Sequence, residues 1–123
     1  MITGIVTDDR EAVISLTLRG PDGKEQELEA VIDTGFDGSL TLPSALVATL
    51  GLAWRSRGRA LLADGRDSVF DTYEATVMWD GVPRRISVDE VDVTPLVGMS
   101  LLRGYELTIK VVEGGSVVLK SLP

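Results

Sequence analysis

The residues with the clearest capacity for chemistry are Asp33, Thr34 and Gly35, which end the apolar run Ala30-Val31-Ile32. A strand that runs straight into Asp-Thr-Gly places a carboxylate at the edge of a hydrophobic core. The hydroxyl can fix the loop, and the glycine lets the backbone turn closely. A carboxylate so placed can serve as a general acid or base. The same tripeptide is also ordinary turn chemistry, and taken alone it reads as a turn after a strand.

The rest of the inventory is narrow. None of the 123 residues is Cys or His. That removes Ser-His and Cys-His nucleophilic pairs, thiolate chemistry, disulfides and His/Cys zinc ligation. No Ser-x-x-Lys occurs, so hydrolysis through that pair is excluded as well. Hydrolysis by this chain must rest on Asp or Glu. Arg55, Arg57 and Arg59 alternate along one stretch, and Arg84-Arg85 form a second basic pair. They read either as an anion-binding strip or as a solvated strand face, and the formal charge of −7 favours the solvated face and argues against nucleic acid or anionic membrane as a partner. Asp8-Asp9 and Asp89-Glu90…Asp92 lack the ordered ligand spacing of a calcium loop, so no metal or other cofactor is expected. Trp54 and Trp79 are expected to be core or interface anchors.

The elements that must position these groups are mainly strands. Ile2–Thr7, Ala12–Arg19, Gln26–Asp33 and Ser39–Leu42 read as strands, the second with Ile14, Leu16 and Leu18 on one face. Pro43-Ser44 opens a helix over Ala45–Leu50 that Gly51 stops. Arg59–Ala63 and Ser68–Trp79 flank Asp64-Gly65, a pair favoured in tight hairpins, and Asp80-Gly81 turns into Val82–Val91. Pro95-Leu96-Val97-Gly98 precedes a short helix, Met99–Arg103. Tyr105–Val112 and Ser116–Leu122 close the chain. With 44% hydrophobic and 25% charged residues, and no linker, the expectation is one domain over residues 1–123, mainly β with one or two short helices, closed or strongly curved. No basic segment precedes a long apolar run at the N-terminus, and no stretch is long enough for a membrane span. The default expectation is cytoplasmic.

In combination the motifs are more specific than any one of them. Apolar residues lead into Asp33-Thr34-Gly35, the short apolar strand Ser39-Leu-Thr-Leu42 follows, and Leu96-Val97-Gly98 leads into a helix, Gly98 standing 65 positions after Asp33. Leu62-Ala63-Asp64-Gly65 and the long strand to Trp79 lie between. This order resembles the retroviral-type aspartic proteases (retropepsins, clan AA) along nearly the whole chain, most of all their small stand-alone bacterial-type members. The resemblance implies a closed β-barrel of the acid-protease kind and hydrolysis of peptide bonds in an extended peptide or protein substrate.

Aspartic proteolysis needs two carboxylates close enough to share one proton, and this chain holds one Asp-Thr-Gly. The resemblance therefore implies a homodimer with Asp33 and its mate on the two-fold axis. It gives Thr34 a grip on the partner loop and puts Gly35 and Asp37 against substrate backbone, although Asp37 reads equally as a loop carboxylate bonding local amides. Ala63, Asp64 and Gly65 become the tip of a flap over the peptide. The resemblance also places strands from both chain ends, Met1–Thr7 and Ser116–Pro123, in a sheet shared between subunits, since neither has another obvious partner. Two residues depart from the pattern. Phe36 stands where the family usually has a small residue, and Met99 stands where viral members have an Arg, a role that Arg103 is a candidate to fill. Phe36 also motivates a second reading, a peptide-binding or dimerisation module of the same fold with little or no activity.

Overall fold

A computed structural model describes residues 1–123. The chain order is β1 (Ile2–Val6), β2 (Ala12–Arg19), β3 (Glu25–Ile32), β4 (Leu40–Leu42), α1 (Ser44–Leu50), β5 (Ala53–Leu61), β6 (Asp67–Trp79), β7 (Val82–Glu90), β8 (Leu96–Val97), α2 (Met99–Leu102), β9 (Tyr105–Ile109) and β10 (Ser116–Ser121). The protein is mainly β, with two short helices. No helix is long and apolar enough to cross a membrane.

All ten strands join one sheet in the order β5-β6-β7-β4-β8-β3-β2-β1-β10-β9, and β2 pairs additionally with β6 through Leu18↔Val77 and Arg19↔Thr76. Pairings from β2 through β3, β8, β4, β7 and β6 thus lead back to β2, which bends the sheet around its apolar face. Alternation builds that face: in β2, Ile14, Leu16 and Leu18 are buried while Ser15 is exposed, as a strand with period two requires. The core joins Ile14 and Leu18 to Leu40, Leu42, Val77, Val88, Val97 and Leu101, with Leu50 of α1 closing one side.

The two-residue strand β8 matters most for the site. It lies between β3, parallel (Val31↔Leu96, Ile32↔Val97), and β4, antiparallel (Leu40↔Val97). Thr41 is buried in β4, and its Oγ1 accepts the Leu96 N–H at 2.9 Å. Thr41→Val keeps the shape but leaves that N–H without a partner, so it is expected to destabilise the fold by about 1–3 kcal/mol. Urea denaturation measures this, and an unchanged midpoint would show that the bond contributes nothing.

Several expectations need correction. The terminal strands do not lack partners: β1 pairs antiparallel with β10 inside the same chain (Ile2↔Leu119 to Ile5↔Ser116), and β10 pairs with β9. Strand β5 begins at Ala53, six residues before the expected Arg59, because pairing with β6 extends it past a bulge at Trp54/Ser56. Strand β9 stops at Ile109 instead of Val112, since Lys110–Gly115 folds into turns (Val112 N–H to Lys110 O, Gly115 N–H to Val112 O). Trp79 is a core residue in edge contact with Tyr105, whereas Trp54 is 58% exposed on β5 and donates its indole N–H to Asp71. Trp54 is therefore no core anchor.

Candidate active site

The site is built on a ladder of backbone bonds. Val31 N–H donates to Pro95 O at 2.8 Å and Asp33 N–H to Val97 O at 2.9 Å, so β8 holds the end of β3 up to the acidic residue itself. The chain then turns: Phe36 N–H donates to Asp33 O, and Gly35 N–H donates to Asp33 Oδ1 at 2.9 Å. That second bond fixes one carboxylate oxygen and leaves the other free. Asp33 is half-buried, while Thr34 and Gly35 are exposed beside it.

A second set of bonds pins this loop to the start of α2. Met99 N–H donates to Phe36 O at 2.8 Å, Ser100 N–H to Gly38 O at 3.1 Å and Gly98 N–H to Ser39 O at 3.0 Å. Ser100 Oγ donates to Asp37 O. The approach is so close that a Cβ on Gly98 would lie 2.2 Å from Gly38 O and 2.5 Å from the Phe36 ring. The Phe36 ring is folded back over Gly38 and Gly98 and is only partly exposed. Glycine at position 98 is what allows the Asp33 loop to seat on α2.

Arg84 of β7 donates from its guanidinium to Ser100 O and Leu101 O, each at 3.4 Å. Arg103 makes no hydrogen bond or ion pair within the chain, whereas Arg84, reaching in from β7, steadies α2. Ser100 was not singled out from the sequence, and Arg84 was read there only as half of the basic pair Arg84-Arg85. A short hydroxyl residue two positions after Gly98 was a usable signal for Ser100, but nothing local marks Arg84, which meets α2 only through the fold.

The Asp37 side chain is exposed, and its carboxylate accepts no hydrogen bond, local amides included. Asp89 of β7 accepts a hydrogen bond from Thr72 at 3.3 Å. Burial pushes the Asp89 carboxyl above the ordinary carboxylate range; the Thr72 bond opposes this, and the Asp37 charge adds to it. The folded state then holds that proton more tightly than the unfolded chain does. The associated stability is present at low pH and lost as pH rises through the raised pKa. Asp89→Asn is accordingly expected to raise the urea midpoint at neutral pH, the gain fading as the solution is acidified below the ordinary carboxylate pKa. A midpoint that did not move at neutral pH would contradict it.

Strands β5 and β6 form a ribbon whose tip holds Ala63, Asp64 and Gly65, all exposed. The turn closes through Gly65 N–H to Leu62 O and Leu62 N–H to Arg66 O, with Gly65 at φ +86°, a conformation suited to glycine. Asp64 accepts from the N–H and Nε of Arg66. No hydrogen bond or ion pair joins this tip to the Asp33 loop. Along the ribbon the three arginines are neutralised across the hairpin: Arg55–Glu74 at 3.2 Å, Arg57–Asp71 at 3.6 Å and Arg59–Asp67 at 3.8 Å. Arg85 also reaches Glu74, at 2.7 Å. The alternating cations are a paired strand face, which fits the solvated reading and not a free anion strip. The acidic run at the end of β7 is partly structural too, since Asp92, two residues past the strand, accepts the Ser44 N–H at the start of α1.

The architecture has a solved counterpart. A retropepsin-like aspartic protease from Rickettsia conorii superposes with a TM-score of 0.60 over 96% of this chain and 87% of that chain, at 17% sequence identity. No family model and no curated protein matches the chain by sequence. The protein therefore has the fold of a retropepsin-like aspartic protease, with Asp33-Thr34-Gly35 on a loop held by β8 and the start of α2.

Proposed function

We propose that the protein is an aspartic endopeptidase of retropepsin type, acting as a homodimer in which Asp33 of each subunit forms the catalytic pair. The observation that supports this best is the loop geometry: Asp33 stands at the end of β3, tied to Val97 and Gly35, with one carboxylate oxygen unbonded. Two such groups on a two-fold axis would share a proton and titrate as a unit. The ionised member takes a proton from water, whose oxygen attacks the scissile carbonyl carbon, while the other donates its proton to the carbonyl oxygen. Collapse of the resulting diol breaks the C–N bond, and a proton passes to the leaving amine.

An extended peptide would lie as an added strand between the ribbon tip (Ala63, Asp64, Gly65) and the floor of the site, with Gly35 and Asp37 against its backbone. Thr34 would grip the partner loop. The circuit of pairings from β2 back to β2 serves as the closed barrel on which this floor is carried. The reaction needs no metal or other cofactor, and the cytoplasm is the compartment in which we place it. Digestion of a proteome-derived peptide library at mildly acid pH tests the proposal. Defined cleavages between extended flanking residues are expected, and a library left intact across the acid range by a dimeric preparation would overturn it.

A further inference from the structure

The ten-stranded sheet ends at β9, whose only neighbour is β10. Lys110 N–H points inward to Ser116 O, and the register pairs Thr108 with Val118 and Glu106 with Lys120. Backbone groups alternate in direction along a strand, so the N–H and C=O groups of Leu107 and Ile109 point outward, where no strand takes them. An open edge of this kind is a template for another chain.

The side chains of β9 are patterned for a particular chain. Glu106, Thr108 and, one residue past the strand where its N–H still bonds Ser116 O, Lys110 are exposed on one face, and Tyr105, Leu107 and Ile109 lie half-buried on the other. Neither Glu106 nor Lys110 has an ion-pair partner within the chain; Glu106 stands opposite Lys120 without reaching it. If two copies of β9 pair antiparallel about Thr108, Glu106 of each meets Lys110 of the other, twice by symmetry, and Leu107 meets Ile109. In that register the charged pairs occupy the non-hydrogen-bonded positions, where side chains approach most closely. Shifting the centre to Leu107 or Ile109 breaks the charge match.

The same edge adjoins the Asp33 loop. A cavity of about 340 Å³ is lined by Thr34, Met99, Leu102 and Leu107, among others, and one of about 240 Å³ by Ile32, Ile109 and Val111, among others. The residues on either side of Asp33 thus each share a cavity with the residues on either side of Thr108. Val111 is 73% exposed and Met99 49%, apolar surface that a second copy would cover.

We infer that a second copy of this chain docks on the β9 edge, antiparallel and centred on Thr108, with Glu106–Lys110 pairs across the axis, and that this pairing brings the two Asp33 loops together. The inference rests on the reading of Asp33 as half of a shared pair. It replaces the sheet of interleaved chain ends, because β1 and β10 already pair within one subunit. The partner completes the site.

Charge exchange tests it. Glu106→Lys and Lys110→Glu each turn both attractive pairs into repulsive ones and are expected to raise the dimer dissociation constant at least about tenfold, with peptide cleavage per chain falling in parallel at low enzyme concentration. The double exchange Glu106→Lys/Lys110→Glu is expected to recover most of both. Sedimentation equilibrium gives the association, and thermal unfolding confirms that these exposed substitutions leave the fold intact. Single variants as dimeric as wild type, a double variant weaker than either single, or a wild type that stays monomeric at high concentration would each overturn the inference. Cleavage that survives with Glu106→Lys unaffected sinks this interface and leaves the peptidase standing. Charge-dependent dimerisation without cleavage upholds the interface and removes the peptidase.

Discussion

Asp33→Asn is expected to lower cleavage of extended peptides by at least roughly a thousandfold, with no loss of fold and no weakening of the dimer. Asn keeps the oxygen that accepts the Gly35 N–H at 2.9 Å, so the loop geometry survives. What disappears is the group that can take a proton from water and return it to the leaving nitrogen. Two carboxylates brought to one axis repel unless a proton lies between them, and two amides do not, so the dimer should hold at least as well at neutral pH. The measurement is kcat/KM on a cleaved library peptide, set beside the association constant of the same preparation. Turnover undiminished in the variant would refute the catalytic assignment, and loss of the dimer with the activity would make Asp33 a structural residue instead.

A second large effect is expected at a residue with no reactive group. Gly98→Ala would place a methyl 2.2 Å from Gly38 O, 2.5 Å from the Phe36 ring and 2.7 Å from Phe36 O. Two of those neighbours are backbone atoms that cannot rotate aside. The backbone at Gly98 is extended, with φ −106°, so the penalty is steric and not conformational. Overpacking of this kind costs about 3 kcal/mol. To relieve it, the Asp33 loop must lift from α2, and a displacement of about 1 Å at a reacting group costs about a hundredfold in rate. Denaturation and peptide cleavage should therefore fall together. Gly35→Ala is the contrast for stability: the nearest atom to its added methyl is Asp33 Oδ1 at 3.3 Å, and the loss should be much smaller. A Gly98→Ala protein as stable as wild type would show that loop and helix are not in the contact described.

Much of the candidate site is legible in the amino-acid sequence. Asp33-Thr34-Gly35 and Leu96-Val97-Gly98 are short, and each could be read as a turn; what made them informative was their order and the long hairpin between them. Hairpins at Asp64-Gly65 and Asp80-Gly81 were readable for the same reason that they form, since those residues accept the backbone angles that tight turns demand. The buried face of β2 followed from alternation alone. The contacts of Phe36 were not legible: a ring beside Asp-Thr-Gly can project into a cleft or fold back, and only the glycines at 38 and 98 give it a surface on which to lie. Nor were the contacts of Arg84, Arg55, Arg57 and Arg59, because a guanidinium has the same appearance in sequence whether or not a carboxylate or carbonyl lies across from it.

The amino-acid sequence by itself determined the chemistry available, acid and hydroxyl groups with neither imidazole nor thiol, together with the strand-rich pattern and the turns. These are properties of neighbouring residues, written in side-chain type and short-range spacing. The tertiary structure alone decided that β8 slips between β3 and β4, that β1 closes on β10 within one chain, and that β9 is left as the open edge beside Asp33. Strand pairing joins residues far apart along the chain through backbone groups that every residue carries. Local pattern can say that a strand will form, but the choice of partner is settled by which arrangement buries the common core and satisfies all of those groups at once.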